Sequence, residues 1–261
     1  MTDRLAELGA NLAAVRSQIA AACAAAGRNP AEISLIAVTK TFPVSDIMLL
    51  SQLGVTDIGE NRDAEAAPKA AACAAAGIML RWHFVGQLQV NKAARVASYA
   101  DMVHSVDRIR LAEALGRRSG AAGRVISCLV QVSLDDPGRV DGPAGTGPDG
   151  TGEGGTGQGG PGRADGRGGA DPGEVSAVAA VIAAQPSLRL AGVMGVAPLG
   201  QPAGPAYARL RELAEAVRTA YPDARVMSAG MSADMGEAIQ QGATHVRIGT
   251  ALLGGRRPFV R

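Results

Sequence analysis

Aromatic residues are scarce in this sequence, 3% of 261 residues with a single Trp, while alanine and glycine are abundant, which suits close packing of helices on a sheet. Cysteine is also sparse. Cys23, Cys73 and Cys128 are scattered without CxxC spacing and are expected to be small core residues in a reducing cytoplasm. His83, His104 and His245 lie far apart and lack ligand spacing, so no metal site is indicated. No run of 18 apolar residues occurs, and Asp3, Glu7 and Arg16 interrupt the alanine-rich start, so neither a signal peptide nor a membrane span is expected. A net charge of +2 and a pI near 8.6 are too mild and too dispersed for a nucleic-acid binder. No GxGxxG follows the first strand-like run, which weighs against dinucleotide binding.

What is present is ample apolar material, 47% of the chain, in an alternating pattern. Leu5, Leu8, Leu12, Val15 and Ile19 recur at three- and four-residue steps, predicting an amphipathic N-terminal helix that stops before Gly27. Strands are expected at 34–40, 55–59, 80–85, 102–106, 124–133, 188–196, 224–228 and 244–248. Helices are expected at 45–53, 63–76, 89–99, 107–118, 173–184, 203–220 and 233–241. Eight strands alternating with helices argue for a parallel sheet, and the number favours a single closed (β/α)8 TIM barrel over an open doubly wound sheet. Residues 138–169 break the rhythm: they hold 15 of the 35 glycines and only Val140 among larger hydrophobic residues. That segment cannot bury enough surface to offset its ordering entropy, and it is expected to be a flexible insertion within one domain spanning 1–261.

In such a barrel the loops after the strand C-termini carry the chemistry, and the last two strands often supply a phosphate site. After the seventh strand comes SAGMSAD (228–234), and the eighth runs into RIGTALLGG (247–255). Ser228 and Ser232 offer hydroxyls, Gly230 permits close backbone approach, and a helix opening at about Ala233 presents free N–H groups to an anion. Gly249 and Thr250 repeat the arrangement. Singly, Ser232 reads as a helix N-cap and Gly249 as a turn glycine; together at neighbouring strand ends they converge as a phosphate needs. Lys40 leaves the first strand on the same face, beside the eighth. Alone it reads as a solvated charge, but an amine next to a phosphate seat suits a Schiff base with pyridoxal phosphate (PLP).

The strings AVTK (37–40), GEN (59–61), WHFVGQLQVNK (82–92), HSVD (104–107), SAGMSADMGEAI and VRIGTALLG resemble the YggS/PROSC family of PLP-binding homeostasis proteins. The resemblance spans nearly the whole chain outside the glycine-rich segment. It implies a barrel like the N-terminal domain of alanine racemase, with Lys40 carrying PLP as an internal aldimine. It also implies that Ser228, Ser232, Gly249, Thr250 and the backbone at Met231 hold the phosphate. Arg247 would face the pyridine nitrogen, Asn61 would line the pocket, and His83 would lie beneath the cofactor. Three departures stand out: Ala229 where many members have methionine, Arg62 where an aromatic is frequent, and the insertion.

Unlike a carboxylate, arginine cannot keep a pyridine nitrogen protonated, so a cofactor facing Arg247 is a weakened electron sink. Racemisation by the alanine racemase route also needs a second acid–base group, supplied there by a partner's C-terminal β-domain that is not expected here. The reading is therefore a non-catalytic, cytoplasmic, monomeric PLP carrier serving vitamin B6 and amino-acid balance, with apo PLP-dependent enzymes as possible recipients. A PLP-dependent amino-acid racemase using His83 or a loop residue, and a cofactor-free Schiff-base lyase, are the alternatives.

Overall fold

The computed structural model describes residues 2–135 and 168–255. Eight parallel strands close into a barrel in chain order: β1 (Ser34–Val38), β2 (Asp57–Glu60), β3 (Arg81–Phe84), β4 (Met102–Val106), β5 (Ile126–Val132), β6 (Leu188–Gly195), β7 (Val226–Ser228) and β8 (His245–Ile248). Pairing of β8 with β1, with Ile36 opposite Arg247 and Ala37 opposite Ile248, closes the barrel and excludes the open sheet. The helices are α1 (Thr2–Ala25), α2 (Val44–Gln52), α3 (Asp63–Ala75), α4 (Ala93–Tyr99), α5 (Ile109–Ala121), α6 (Val175–Ala184), α7 (Ala203–Ala220), α8 (Met235–Gln240) and α9 (Thr250–Leu253). The expected flexible segment at 138–169 lies outside the described residues except for Gly168 and Gly169.

Two boundaries depart from the periodicity for local reasons. The helix expected from 233 begins at Met235, because the Asp234 carboxylate accepts the Met231 N–H at 2.6 Å and closes a turn ahead of it. Residues 90–92 form a 3-10 turn before α4. The single turn α9 carries no signal of its own, being too short for a helical period to register. In β6, Gly192 takes φ +146° at a register shift, and a Cβ there would lie 1.9 Å from the Val226 carbonyl oxygen, so only glycine lets β6 and β7 approach.

The N-terminal helix has a structural task. A (β/α)8 barrel needs a helix over the seam between its last and first strands, and α9 is only one turn long. α1 fills that place, packing against α8, α9 and α2. Its Leu8, Leu12, Val15 and Ile19 join Ala37, Val246 and Ile248 of the seam strands in one buried cluster. Asn11 Nδ2 donates to the Leu252 carbonyl and Arg4 to the Leu253 carbonyl, both at 3.0 Å, tying α1 to the end of α9. The free thiols of Cys23, Cys73 and Cys128 are buried. Among the described residues no helix is long and apolar enough to cross a membrane.

Strand alternation divides the residues sharply. One set of side chains, such as Ile58, Trp82, Val103, Met227 and Val246, packs outward under the helices. The other set points into the barrel, where a small apolar cluster of Leu129, Ala191 and Met194 shares the space with polar groups. Asp57, His83, His104, Ser228 and Arg247 are all buried and joined end to end by hydrogen bonds. Burial, with His83, Arg247 and His245 nearby, holds His104 well below the ordinary imidazole range. Burial likewise brings His245 down to about 4. Desolvation raises Asp57, but hydrogen bonds from His83, Arg81 and Thr56 outweigh it, and the carboxyl ends well below its usual range.

Two outcomes follow. Leu12→Ala, at a site 2% exposed, should cost about 2–5 kcal/mol in urea unfolding, because the cavity opens directly over the seam. Acid should also destabilise the protein. Folded His245 stays neutral to about 4 while the unfolded chain protonates near 6.5, so between these values the unfolded state binds more protons and stability falls with pH. His104 acts in the same sense, and Asp57 does so below 3.8, under that window, whereas Glu60, raised by burial, opposes them. The urea midpoint should therefore drop as pH is lowered through that window, and His245→Asn should flatten the slope.

Candidate functional site

A cavity of about 370 Å³ opens at the C-terminal ends of the strands. Lys40 reaches it from the turn after β1, Asn61 from the end of β2, and Met231 and Ser232 from the loop after β7. Arg247 comes from β8, with Gly249 and Thr250 immediately beyond. The rest of the wall is Val38, Val85, Met194, Val196 and Ala233, which make it mostly apolar. These five were not foreseen, since their residue types do not distinguish a pocket wall from a core.

The strand end bearing Lys40 is held tightly. Thr39 is buried and its hydroxyl donates to Glu60 Oε1 at 2.7 Å. Lys69 Nζ from α3 reaches the same oxygen at 2.7 Å and the Thr39 carbonyl at 3.0 Å. Beyond the exposed Lys40, Thr41 adopts φ +68°, a left-handed conformation that a β-branched residue rarely takes. Its N–H donates to Glu65 at 3.0 Å. This strained turn follows Lys40, which lines the cavity. Nothing in the sequence signalled the conformation of Thr41.

Opposite Lys40, the loop after β7 is fixed by backbone bonds to β8. Ala229 N–H donates to the His245 carbonyl and Arg247 N–H to the Gly230 carbonyl, both at 3.0 Å. Gly230 takes φ +89°, and a Cβ on it would sit 2.7 Å from that of Ala238, so glycine is needed for the loop to lie on α8. Ser232 is at the cavity wall but does not cap α8, whose N-cap is Asp234. The Met231 amide is already engaged by Asp234, and what Met231 brings to the cavity is its partly exposed side chain. At Gly249 and Thr250 the first N–H groups of α9 have no intrahelical partner, leaving donors for an anion beside Lys40.

Arg247 lies at the cavity's edge, 5% exposed, with Nη1 donating to Ser228 Oγ at 2.7 Å and Nη2 to the Gly195 carbonyl at 3.0 Å. Burial lowers its pKa, while Tyr207 and Asp234 raise it. Ser228 and His83 are not on the wall. Ser228 is fully buried between Arg247 and His104, and His83 is buried with both ring nitrogens bonded, to His104 and Asp57, each at 2.9 Å. Of the departures noted above, neither Ala229 nor Arg62 lines the cavity: Ala229 is buried in the outer core, and Arg62 is exposed and paired with Glu65 at 3.8 Å. Asn61 Oδ1 is buried without a hydrogen-bond partner, as is Glu60 Oε2 beside it in sequence. An orphaned acceptor on Asn61, a wall residue, suits a polar ligand with a donor to offer. Among the described residues no group of three or more His, Cys, Asp or Glu is placed to hold a metal ion.

Comparison with known proteins bears on this arrangement. A family model described as the alanine racemase N-terminal domain matches residues 162–257. The pyridoxal phosphate homeostasis protein of Mycobacterium bovis is 40% identical over 272 residues, covering 98% of this chain and 95% of the relative. That of Escherichia coli K12 is 34% identical, covering 96% and 97%. Among solved structures, PipY of Synechococcus elongatus PCC7942 with PLP bound has TM-score 0.73 and 30% identity, covering 95% of this chain and all of PipY. Alanine racemase of Corynebacterium glutamicum, TM-score 0.63 at 15% identity and matched over 60% of its length, shares the fold alone. With two-fifths of its residues identical to the mycobacterial protein over almost the whole of both chains, this chain belongs to the pyridoxal phosphate homeostasis protein family.

Proposed function

We propose that the protein binds PLP in the cavity at the strand C-termini and holds it in reserve instead of turning over a substrate with it. The observation that carries this reading is that Lys40 and Arg247 line one mostly apolar cavity. PLP supplies an aldehyde and an electron-withdrawing ring. Lys40 Nζ would bond to the aldehyde carbon with loss of water, and the donors at Gly249, Thr250 and Ser232 would take the phosphate. Asn61 would offer its free acceptor, with Val38, Val85 and Met194 against the ring. Arg247 would donate to the pyridine nitrogen without protonating it, which weakens the ring as an electron sink.

The make-up of the wall supports storage. Among the described residues lining the cavity, Lys40 and Arg247 are the only ionisable ones. A racemase needs acid–base groups on both faces of its cofactor, and His83, the base considered for that role, has both nitrogens engaged away from the wall. The relatives' shared name supports a role in PLP homeostasis; we take that role to be buffering free PLP and passing it to apo enzymes, in the cytoplasm and as a monomer. Sedimentation of the PLP-loaded protein at a single-chain mass would agree with the last point.

Adding PLP to the purified protein should produce the visible absorbance band of a lysine-bound cofactor, and Lys40→Ala should abolish that band while retaining weak, phosphate-dependent binding. A band that survives the substitution sinks the assignment of Lys40. Incubating the loaded protein with single amino acids in deuterated water should give no sustained exchange of the α-proton. Exchange over many turnovers would instead establish an enzyme.

A further inference from the structure

The polar groups inside the barrel form one chain whose ends differ in kind. Arg247, at the cavity, can only donate; the Asp57 carboxylate, at the start of β2, can only accept. Between them the contacts run Arg247 Nη1 to Ser228 Oγ at 2.7 Å, Ser228 Oγ to His104 Nδ1 at 3.0 Å, His104 Nε2 to His83 Nδ1 at 2.9 Å, and His83 Nε2 to Asp57 Oδ1 at 2.9 Å. Asp57 is fixed in turn by Arg81 and by the Thr56 hydroxyl, each at 2.7 Å on its other oxygen.

The fixed ends dictate the protons between them. Ser228 Oγ accepts from Arg247, so its own hydrogen is free for His104 Nδ1, which must then be bare. A neutral His104 therefore carries its proton on Nε2 and gives it to His83 Nδ1. His83 carries its proton on Nε2 and gives it to the carboxylate. Every donor points from the cavity toward Asp57, and each of the buried groups is satisfied. One extra proton on the rings would force His104 to donate to Ser228, leaving the serine hydrogen facing only donors. It would also place a buried cation among Arg247, Arg81 and His245, whose ring lies 6.3 Å from that of His83, with the already engaged Asp57 as the carboxylate hydrogen-bonded to the chain.

We propose that Asp57, His83, His104 and Ser228 are positioning residues: a proton-ordered chain through the barrel that fixes the rotamer and donor direction of Arg247 at the cavity. The inference rests on the proposed binding of PLP for its effect on the cofactor, though not for the chain itself. It also gives Ser228 a role other than phosphate binding. Arg247 has no carboxylate holding it in place among the described hydrogen bonds and ion pairs; Ser228 and the Gly195 carbonyl are its side-chain acceptors. Losing the chain removes one of two restraints on its guanidinium.

The test has two arms. In protein without cofactor and with 15N-labelled histidine, long-range 15N–1H correlation should show His104 neutral throughout pH 6–8 and the neutral form of both His83 and His104 as the Nε2–H tautomer. An Nδ1–H tautomer of either neutral ring, or titration of His104 in that interval, overturns the proton order. In the second arm, His104→Leu, which lies away from the cavity wall, should weaken PLP binding about tenfold and shift the bound cofactor's absorption maximum. His104→Gln, whose amide can accept from Ser228 and donate to His83, should restore both to near the starting values. Unchanged affinity and spectrum in the leucine protein, or equal damage in the glutamine protein, contradict the positioning role. If the leucine protein does not fold, the glutamine protein and the tautomers still decide. Absence of PLP binding in the unsubstituted protein would strike the proposed function, while the tautomers still test the chain.

Discussion

The parallel pairing of β8 with β1 is the contact on which the site depends. It sets Arg247 beside Ile36 and Ile248 beside Ala37, so the turn carrying Lys40 and the Gly249–Thr250 turn leave the barrel side by side. Residues some two hundred positions apart thereby face one cavity. Such a long-range pairing cannot be stabilised by local propensity. It is secured by burial on its outer face, where α1 replaces the helix that the single turn α9 cannot provide. The same helix is thus a structural requirement of the site, although it contributes nothing to the wall.

Around that seam most apolar packing lies outside the strands, while the barrel interior holds a polar chain beside a small apolar cluster. Under the helices the packing is aliphatic and supplies most of the hydrophobic stabilisation. Inside the strands, a column of hydrogen-bonded groups crosses the barrel from the N-terminal side to the cavity. Such a column is costly unless every member is paired, and here the pairing is achieved by matching a donor-only end to an acceptor-only end. The strain at Thr41 and the ion pair of Glu60 with Lys69 belong to the same economy of position: both fix where Lys40 emerges.

Much of this was legible in the residues. The alternation of apolar runs located eight strands and their helices to within a few positions, and β4 and α7 fall where the periodicity put them. Lys40, Asn61, Met231, Ser232, Arg247, Gly249 and Thr250 do converge on one cavity. His83 lies beneath the cavity, as the resemblance implied, and so does Ser228: both point into the barrel like Arg247 but sit deeper along its axis, Ser228 opposite His245 and not Arg247, a depth set by register between strands. The inward parity of His104 within MVHSV was a readable signal for its place in the interior; its bonds to His83 and Ser228 were not.

The order of strands and helices, the anion-suited turns and an amine at a strand end are local properties, carried by periodicity, turn chemistry and residue type within short windows, and the sequence determines them unaided. What the tertiary structure decided is relational. It settled that the sheet closes, that the Met231 amide is taken by Asp234, that Thr41 turns left-handed, and that Arg247 ends a chain reaching Asp57. These depend on distances between segments remote in the chain, which are set by how the whole barrel packs and are not encoded at any single position.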